Sequence, residues 1–295
     1  MELVTDTIND AGMLVAGVLR RLRHGPLRGL APLWLTLGKG YRTFILRFPR
    51  DVFVRHYIGP YGPFALHAYF AFSNFSDWGS NHNNGFVSLI ESCRGKNCVL
   101  DIGGHIGLVA LSMSGVISSK GLVYCFEPSA INYAYLLKHI NANRVQNIKP
   151  IEFLVGSSDG KVIFFEHDRP AGQNSLGGPA RDGLEYFPVH RQQVTLDNFC
   201  RDHRLSPEII KIDVEGAETD VIKGARSVLT RHRPKIFLSV HPRKLEDLGS
   251  STEELVTLLH ELDYVCQEID GSPIEVFQLA EYLILPKESL SVEAE

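Results

Sequence analysis

From about Asn97 onward the chain alternates short apolar runs with stretches of helical period. "NCVLDI" is an apolar run that ends on an acid, and Ile106 to Met113 reads as a helix closed by Gly115 or Gly121. "GLVYCFE" is a second strand; "AINYAYLLKHINAN" has helical spacing and ends on two asparagines, a stop signal. "IKPIEFLVG" is a third strand and "EIIKIDV" (Glu208 to Val214) a fourth, followed by one helix over "AETDVIKGARSVLTRH". "PKIFLSVH" is a fifth strand, "STEELVTLLHELD" a further helix, and "YVCQEI" and "EYLILPK" are the last two strands. Such alternation predicts an α/β fold, a parallel sheet with helices on both faces. Between the third and fourth strands the β-prone "GKVIFFEHD" and "FPVHRQQVTLD" flank "RPAGQNSLGGPARDG". This predicts an inserted hairpin with a mobile tip over Pro170 to Gly183.

The first 85 residues lack that alternation. They are rich in aromatic and basic residues, and their Gly-Pro breaks predict a helix followed by strands and loops. The chain is therefore divided into an N-terminal extension, 1–85, and an α/β domain, 86–295. Leu3, Val4, Ile8, Leu14, Val15, Val18 and Leu22 follow helical spacing. The apolar run Ala11 to Leu19 is too short to span a bilayer. Acids precede it and arginines follow it, the reverse of a secretory signal. The segment reads as a helix docked on the domain or on a partner; the second reading is a peripheral membrane contact through Arg20 to Arg28.

Composition narrows the class. The 295 residues are 44% hydrophobic and 22% charged, which suits an ordinary globular core. A net charge of -4 gives no reason to expect nucleic acid as the partner. Five cysteines, an odd number without CxxC spacing, read as reduced core thiols of a cytoplasmic protein rather than a disulfide frame or a zinc site.

The densest chemistry lies in "VLDIGGHIG", Val99 to Gly107. Ligands of open α/β sheets bind beyond the carboxyl ends of the strands, where Asp101 and the turn Gly103-Gly104-x-x-Gly107 fall. A dinucleotide would bring a pyrophosphate to this turn, and a carboxylate at the strand tip repels it. S-adenosylmethionine brings an ammonium and a sulfonium, which the same carboxylate attracts. Glu127, at the tip of the second strand, can accept both hydroxyls of a ribose in either case. A second cluster is "KIDVEGAE", with Lys211, Asp213, Glu215 and Glu218. Glu215 and Glu218 suit a helix N-terminus, whereas Asp213 ends a strand in the same cleft and needs a further reason.

"VLDIGGHIG", "FEP", "VTLDNF", "IIKIDVEGAETDVIKGA" and "RPKIFLSVHP", in this order and spacing, resemble the FkbM-type S-adenosylmethionine-dependent methyltransferases over roughly Phe86 to Pro286. The resemblance implies a class I methyltransferase (Rossmann-like) fold: a seven-stranded sheet with its last strand antiparallel, here with a β insertion and an N-terminal extension. It implies O-methylation of a hydroxyl on a sugar, glycolipid or natural product. By position it implies that Asp101, Gly103 and Gly107 border the methionine part of the cofactor, Glu127 the ribose, and Ser157 to Asp159 the adenine, with Gly104 inside the same turn. The chain departs from the family at Ser239, often an acid there, and at Gly104-His105, where Gly-Ala-Asn is frequent.

Methyl transfer to an alcohol needs alignment and gains from a base. Asp213, Glu215 and His241 are the catalytic candidates, His241 because its ordinary pKa lies near neutrality; His82 and His105 rank below them. Asp213 could hold a hard cation, but "SVHPRK" supplies no second carboxylate after the fifth strand, so no metal is expected. The acceptor is a small molecule or glycan, its pocket built by Asp168 to Gly183 and the N-terminal region. The tip from Pro170 is expected to order over it. A non-catalytic binding module of this fold and an NAD-dependent reductase are the competing classes. The oligomeric state has no signature in the sequence.

Overall fold

The computed structural model describes residues 31–47, 49–80, 83–170, 172, 174–178 and 185–289. The helix expected over Leu3 to Leu22, the arginines from Arg20 to Arg28, His82, and residues 171, 173 and 179–184 of the inserted tip lie outside them. The chain divides into two compact units: Met1–Asp77 with Asn141–Arg144, and Trp78–Ile140 with Val145–Glu295.

In the first unit, α1 (Ala31–Leu46) precedes an antiparallel hairpin of β1 (Phe53–Ile58) and β2 (Tyr61–His67). Tyr41 anchors α1: its hydroxyl donates to the Ala68 carbonyl at 2.9 Å and its ring meets Phe72 edge-on at 4.8 Å. His67 closes the hairpin by accepting the Tyr69 N–H at 3.1 Å and facing Asp51 at 3.3 Å.

The second unit runs α2 (Phe86–Ser92), β3 (Cys98–Ile102), α3 (Leu108–Ser114), β4 (Leu122–Phe126), α4 (Ala130–Ala142), β5 (Ile148–Ile151), β6 (Leu154–Val155), β7 (Gly160–His167) and β8 (Tyr186–Val194). It continues with α5 (Leu196–His203), β9 (Ile209–Ile212), α6 (Glu218–Lys223), α7 (Arg226–His232), β10 (Lys235–Val240), α8 (Pro242–Asp247), α9 (Thr252–Glu261), β11 (Tyr264–Gln267) and β12 (Ala280–Pro286). Seven strands form one sheet in the order β11-β12-β10-β9-β3-β4-β5. β12 alone runs antiparallel to its neighbours. This is the class I methyltransferase (Rossmann-like) topology that the resemblance implies. Strand β9 is buried at every position and β10 at all but its first, as expected for strands covered on both faces. Leu100, Ile102, Ile210, Ile212 and Leu238 pack with Val221, Ile222, Leu229 and Leu255 in one apolar core. From β3 the chain builds outward to β4 and β5, and from β9 it builds the other way. The strand order therefore reverses between β3 and β9, and a crevice opens at their carboxyl ends.

The β insertion forms as expected: β7 and β8 pair antiparallel from Gly160–Gln193 to His167–Tyr186. Three elements differ from the sequence reading. The third strand is two strands. Pro150 has no N–H to donate, so β5 is a short edge strand, and the chain then leaves the large sheet to pair β6 with β8. The stretch through Asp197 does not continue as strand, because Thr195 caps α5 by accepting the Asn198 N–H at 3.2 Å. The helix after β9 breaks into α6 and α7 at Gly224. A methyl group there would sit 2.0 Å from the Gly156 carbonyl oxygen, so the backbones touch. The Asp197 carboxylate then caps α7, accepting the N–H groups of Ser227 at 2.9 Å and Val228 at 2.8 Å.

This contact predicts opposite outcomes for two glycines. Gly224→Ala should destabilise the protein by about 2 kcal/mol or more, as an overpacked backbone contact. Gly40→Ala in α1, where an added methyl meets nothing within 4 Å, should be neutral or stabilise by up to about 1 kcal/mol. Urea denaturation of both variants checks the pair.

Candidate active site

The two strand tips approach so closely that only glycine fits at position 103. Gly103 has φ 84°, and an added methyl would lie 1.8 Å from the Asp213 carbonyl oxygen. Asp213 in turn donates its N–H to the Ile102 carbonyl at 2.9 Å. Gly103 and Gly104 both donate to the Phe126 carbonyl, at 3.0 and 2.8 Å, which binds the turn to β4. Gly107 begins α3 with Leu136 packed against it.

One cavity covers these tips. Gly103, Gly104, His105 and Glu127 line one side, and Lys211, Asp213, Glu215 and His241 the other. Phe126, Phe153, Leu154 and Val155 supply an apolar wall. Asp101 and Gly107 are not on its surface. Asp101 is fully buried beneath the turn, where Oδ2 accepts from the Cys125 thiol at 3.6 Å and Oδ1 has no hydrogen-bond partner among the described residues. Burial pushes its carboxyl up, against the pull of Lys211. Ser157 and Asp159 are exposed on the turn before β7, away from the cavity. The early end of β5 takes them there, and Asp159 instead accepts from the Thr195 N–H at 2.6 Å and from the Asn198 amide.

Glu127 is buried and accepts three donors: the His105 N–H at 2.8 Å, the Ser129 N–H at 2.9 Å and the Asn132 amide at 3.3 Å. Burial pushes its carboxyl up to about 7, although the backbone donors act the other way. His105 sits at φ 50°, and burial holds its imidazole down to about 4, so the ring is neutral at neutral pH. Its Nε2 is buried with no partner among the described residues.

Across the cavity the acids are compensated in pairs. Lys211 places Nζ 2.9 Å from Asp213 Oδ2, and the Lys244 ammonium bonds the Glu215 carboxylate. Burial disfavours the Lys211 charge, but Asp213, Asp101 and Glu281 outweigh it and hold the ammonium above its ordinary range. Glu215 stands in the left-handed region at φ 56°, a strained setting for a non-glycine residue. Glu218 is fully buried; Oε1 takes the Gly216 N–H at 3.0 Å and lies 2.8 Å from His241 Nδ1. His241 Nε2 then faces Asp213 Oδ1 and Glu215 Oε2, each at 3.7 Å. Burial alone would hold the imidazole down. The Glu218 bond and the charges of Asp213, Glu215 and Glu218 outweigh it and push it up to about 9. The ordinary near-neutral value that the sequence suggested does not apply.

Asp213, Glu215 and His241 converge closely enough to hold a cation. Glu215, which follows β9, is the second carboxylate of this group; the stretch after β10, where the sequence reading sought one, supplies His241 instead. Both carboxylates also bond lysine ammoniums, Lys211 and Lys244.

The sequence reading gave no role to Lys211, Lys244 or Glu281. Lys211 carried a signal: two residues before Asp213 on one strand, it shares that residue's face. Glu281 carried none, because its partner, the Gly85 N–H at 2.9 Å, is 196 residues away.

The sequence matches the methyltransferase FkbM domain over residues 101–266. It is 26% identical over 194 residues to the 2-O-methyltransferase NoeI of Sinorhizobium fredii, covering 61% of this chain and 77% of that protein. It is 24% identical over 185 residues to the hexuronic acid methyltransferase AglP of Haloferax volcanii, covering 60% and 72%. Among solved structures it is similar to the methyltransferase FkbM of Methylobacillus flagellatus, with 20% identity and a TM-score of 0.41. That match covers 65% of this chain and 44% of the other, so this chain spans less than half of it.

The His241 geometry sets a stability signature. A group whose pKa is raised on folding stabilises fully below its unfolded value, near 6.5, and the gain is lost as pH rises through about 9. The loss should amount to roughly 3 kcal/mol. Glu218→Gln should move the His241 titration, followed by NMR, toward 6.5 and flatten the decline. An unmoved titration would remove Glu218 as the cause.

Proposed function

The chain belongs to the methyltransferase FkbM domain family, and from that membership we propose that it methylates a hydroxyl of a glycan or small-molecule acceptor with S-adenosylmethionine as donor. When bound, S-adenosylmethionine supplies a methyl group on a positively charged sulfur. The cleft fits such a donor. Glu127 keeps acceptor capacity for ribose hydroxyls beyond its three present donors. The bare backbone at Gly103 and Gly104 admits close approach, and Phe153, Leu154 and Val155 offer an apolar wall for a base, in place of Ser157 and Asp159. Asp101 supports the turn from beneath, where Lys211 opposes the burial that pushes its carboxyl up. The names of the relatives, a 2-O-methyltransferase and a hexuronic acid methyltransferase, support a sugar oxygen as the acceptor.

The observation that carries the chemistry is the Glu218–His241 pair at the cavity wall. Glu218 fixes the ring by accepting the hydrogen bond that Nδ1–H donates, which leaves Nε2 facing the cavity side of Asp213 and Glu215. In the deprotonated ring, Nε2 accepts the hydroxyl proton as the oxygen attacks. Asp213 and Glu215 stabilise the imidazolium that results, and Lys211 and Lys244 hold both acids in place.

Three outcomes are expected. In calorimetry the protein binds S-adenosylmethionine and not NADH, and Glu127→Gln weakens that binding by about 10- to 100-fold. With hexuronic acid glycosides as acceptors, the methylation rate rises with pH through about 9. His241→Gln lowers kcat about 100-fold with donor affinity nearly unchanged. NADH binding would favour the reductase, donor binding without transfer to any hydroxyl a binding module. A rate that is flat between pH 7 and 9 would move the proton to Asp213 or Glu215.

A further inference from the structure

Ser157 and Asp159 lie away from the cavity, so the turn before β7 brings no polar group to the base of a bound donor. The inserted sheet does. Asn174 lines the cavity and is only 8% exposed, and its Nδ2 is buried with no hydrogen-bond partner among the described residues. The orientation of its amide is fixed. Oδ1 accepts the His167 N–H at 3.1 Å, a bond that a turned amide would lose, so the N–H donors are the groups left over. Its place is fixed as well. Ser175, the next residue, exchanges backbone bonds with Phe165 at 2.9 and 3.1 Å on the outer edge of β7. The same sheet carries part of the apolar wall. Leu154 pairs with Gln193 and Phe164 with Val189, four residues apart on β8, so Leu154 and Phe164 share one face. Both are buried and both line the cavity.

We propose that Asn174 is a specificity-determining residue for the donor: its Nδ2 donates to a ring nitrogen of the adenine, beside the apolar wall of Leu154 and Phe164. The proposal rests on the reading of S-adenosylmethionine as the methyl donor. The chemistry of the wall selects the base. A purine has flat apolar faces and carries lone pairs on ring nitrogens at its edge. An apolar wall with one amide donor matches both. An acceptor sugar bears hydroxyls around its ring and would set them against that wall. A buried donor without a partner is costly, and a ligand that accepts from it recovers that cost. The inserted hairpin thereby takes over the contact to the base that Ser157 and Asp159 do not make.

The test is calorimetry of the full chain with S-adenosylhomocysteine. Asn174→Asp keeps an oxygen for the His167 N–H and removes the donors, whereas Asn174→Leu removes both. Each is expected to weaken binding about 5- to 10-fold, with circular dichroism as in the parent. In the parent, the side-chain amide of Asn174 should shift in NMR spectra on saturation with S-adenosylhomocysteine and not with S-ribosylhomocysteine, which lacks the base. That shift decides the matter should a variant not fold. A parent that does not bind S-adenosylhomocysteine removes the donor reading, and the proposal with it. A parent that binds it while both variants bind equally well overturns the proposal alone. So does full affinity in Asn174→Asp with a loss in Asn174→Leu, because the residue would then only close the hairpin edge, and so does an amide that shifts alike with both ligands.

Discussion

One buried ammonium holds the cleft together. Lys211 lies on the central strand β9, almost without solvent, within the field of Asp101, Asp213 and Glu281. Three carboxylates this close together would repel one another, and each would lose hydration on burial. Lys211 offsets that cost for all three, directly at Asp213 and through space at the other two. Beneath the close approach of β3 and β9, which forces glycine at 103, the Lys211 ammonium offsets part of the charge of these acids. The glycine turn, the Glu127 carboxylate and the Glu218–His241 pair are arranged around that centre.

The two sides of the cavity are tuned in opposite directions by nearby groups. His105 is held neutral by burial, whereas His241 faces three carboxylates and holds a proton. The same ring type is thus neutral beside the glycine turn and protonated at neutral pH across from it. Glu281 belongs to this tuning. Burial pushes it up to about 7, against the pull of Lys211. Its bond to the Gly85 N–H ties the antiparallel β12 to the start of α2.

The sheet was legible because each strand is an apolar run and each helix has its own period, so the alternation survives errors at individual boundaries. Asp101, Glu127 and Asp213 were legible as strand-tip acids for the same reason. What sequence could not carry was decided by contacts between distant segments. Gly224 splits a helix because Gly156 touches it. Ser157 and Asp159 leave the cavity because β5 ends at Ile151 and β6 joins another sheet. His241 departs from its ordinary acidity because Glu218, a residue that reads as a dipole-matched helix start, turns its carboxylate onto the ring.

The central claim is that the methyl group lies between the glycine turn and His241. NMR with S-adenosylmethionine carrying a carbon-13 methyl group tests it without knowledge of the acceptor. The account predicts nuclear Overhauser contacts from that methyl to the His241 ring. A bound donor whose methyl contacts neither that ring nor the Asp213–Glu215 turn would contradict it.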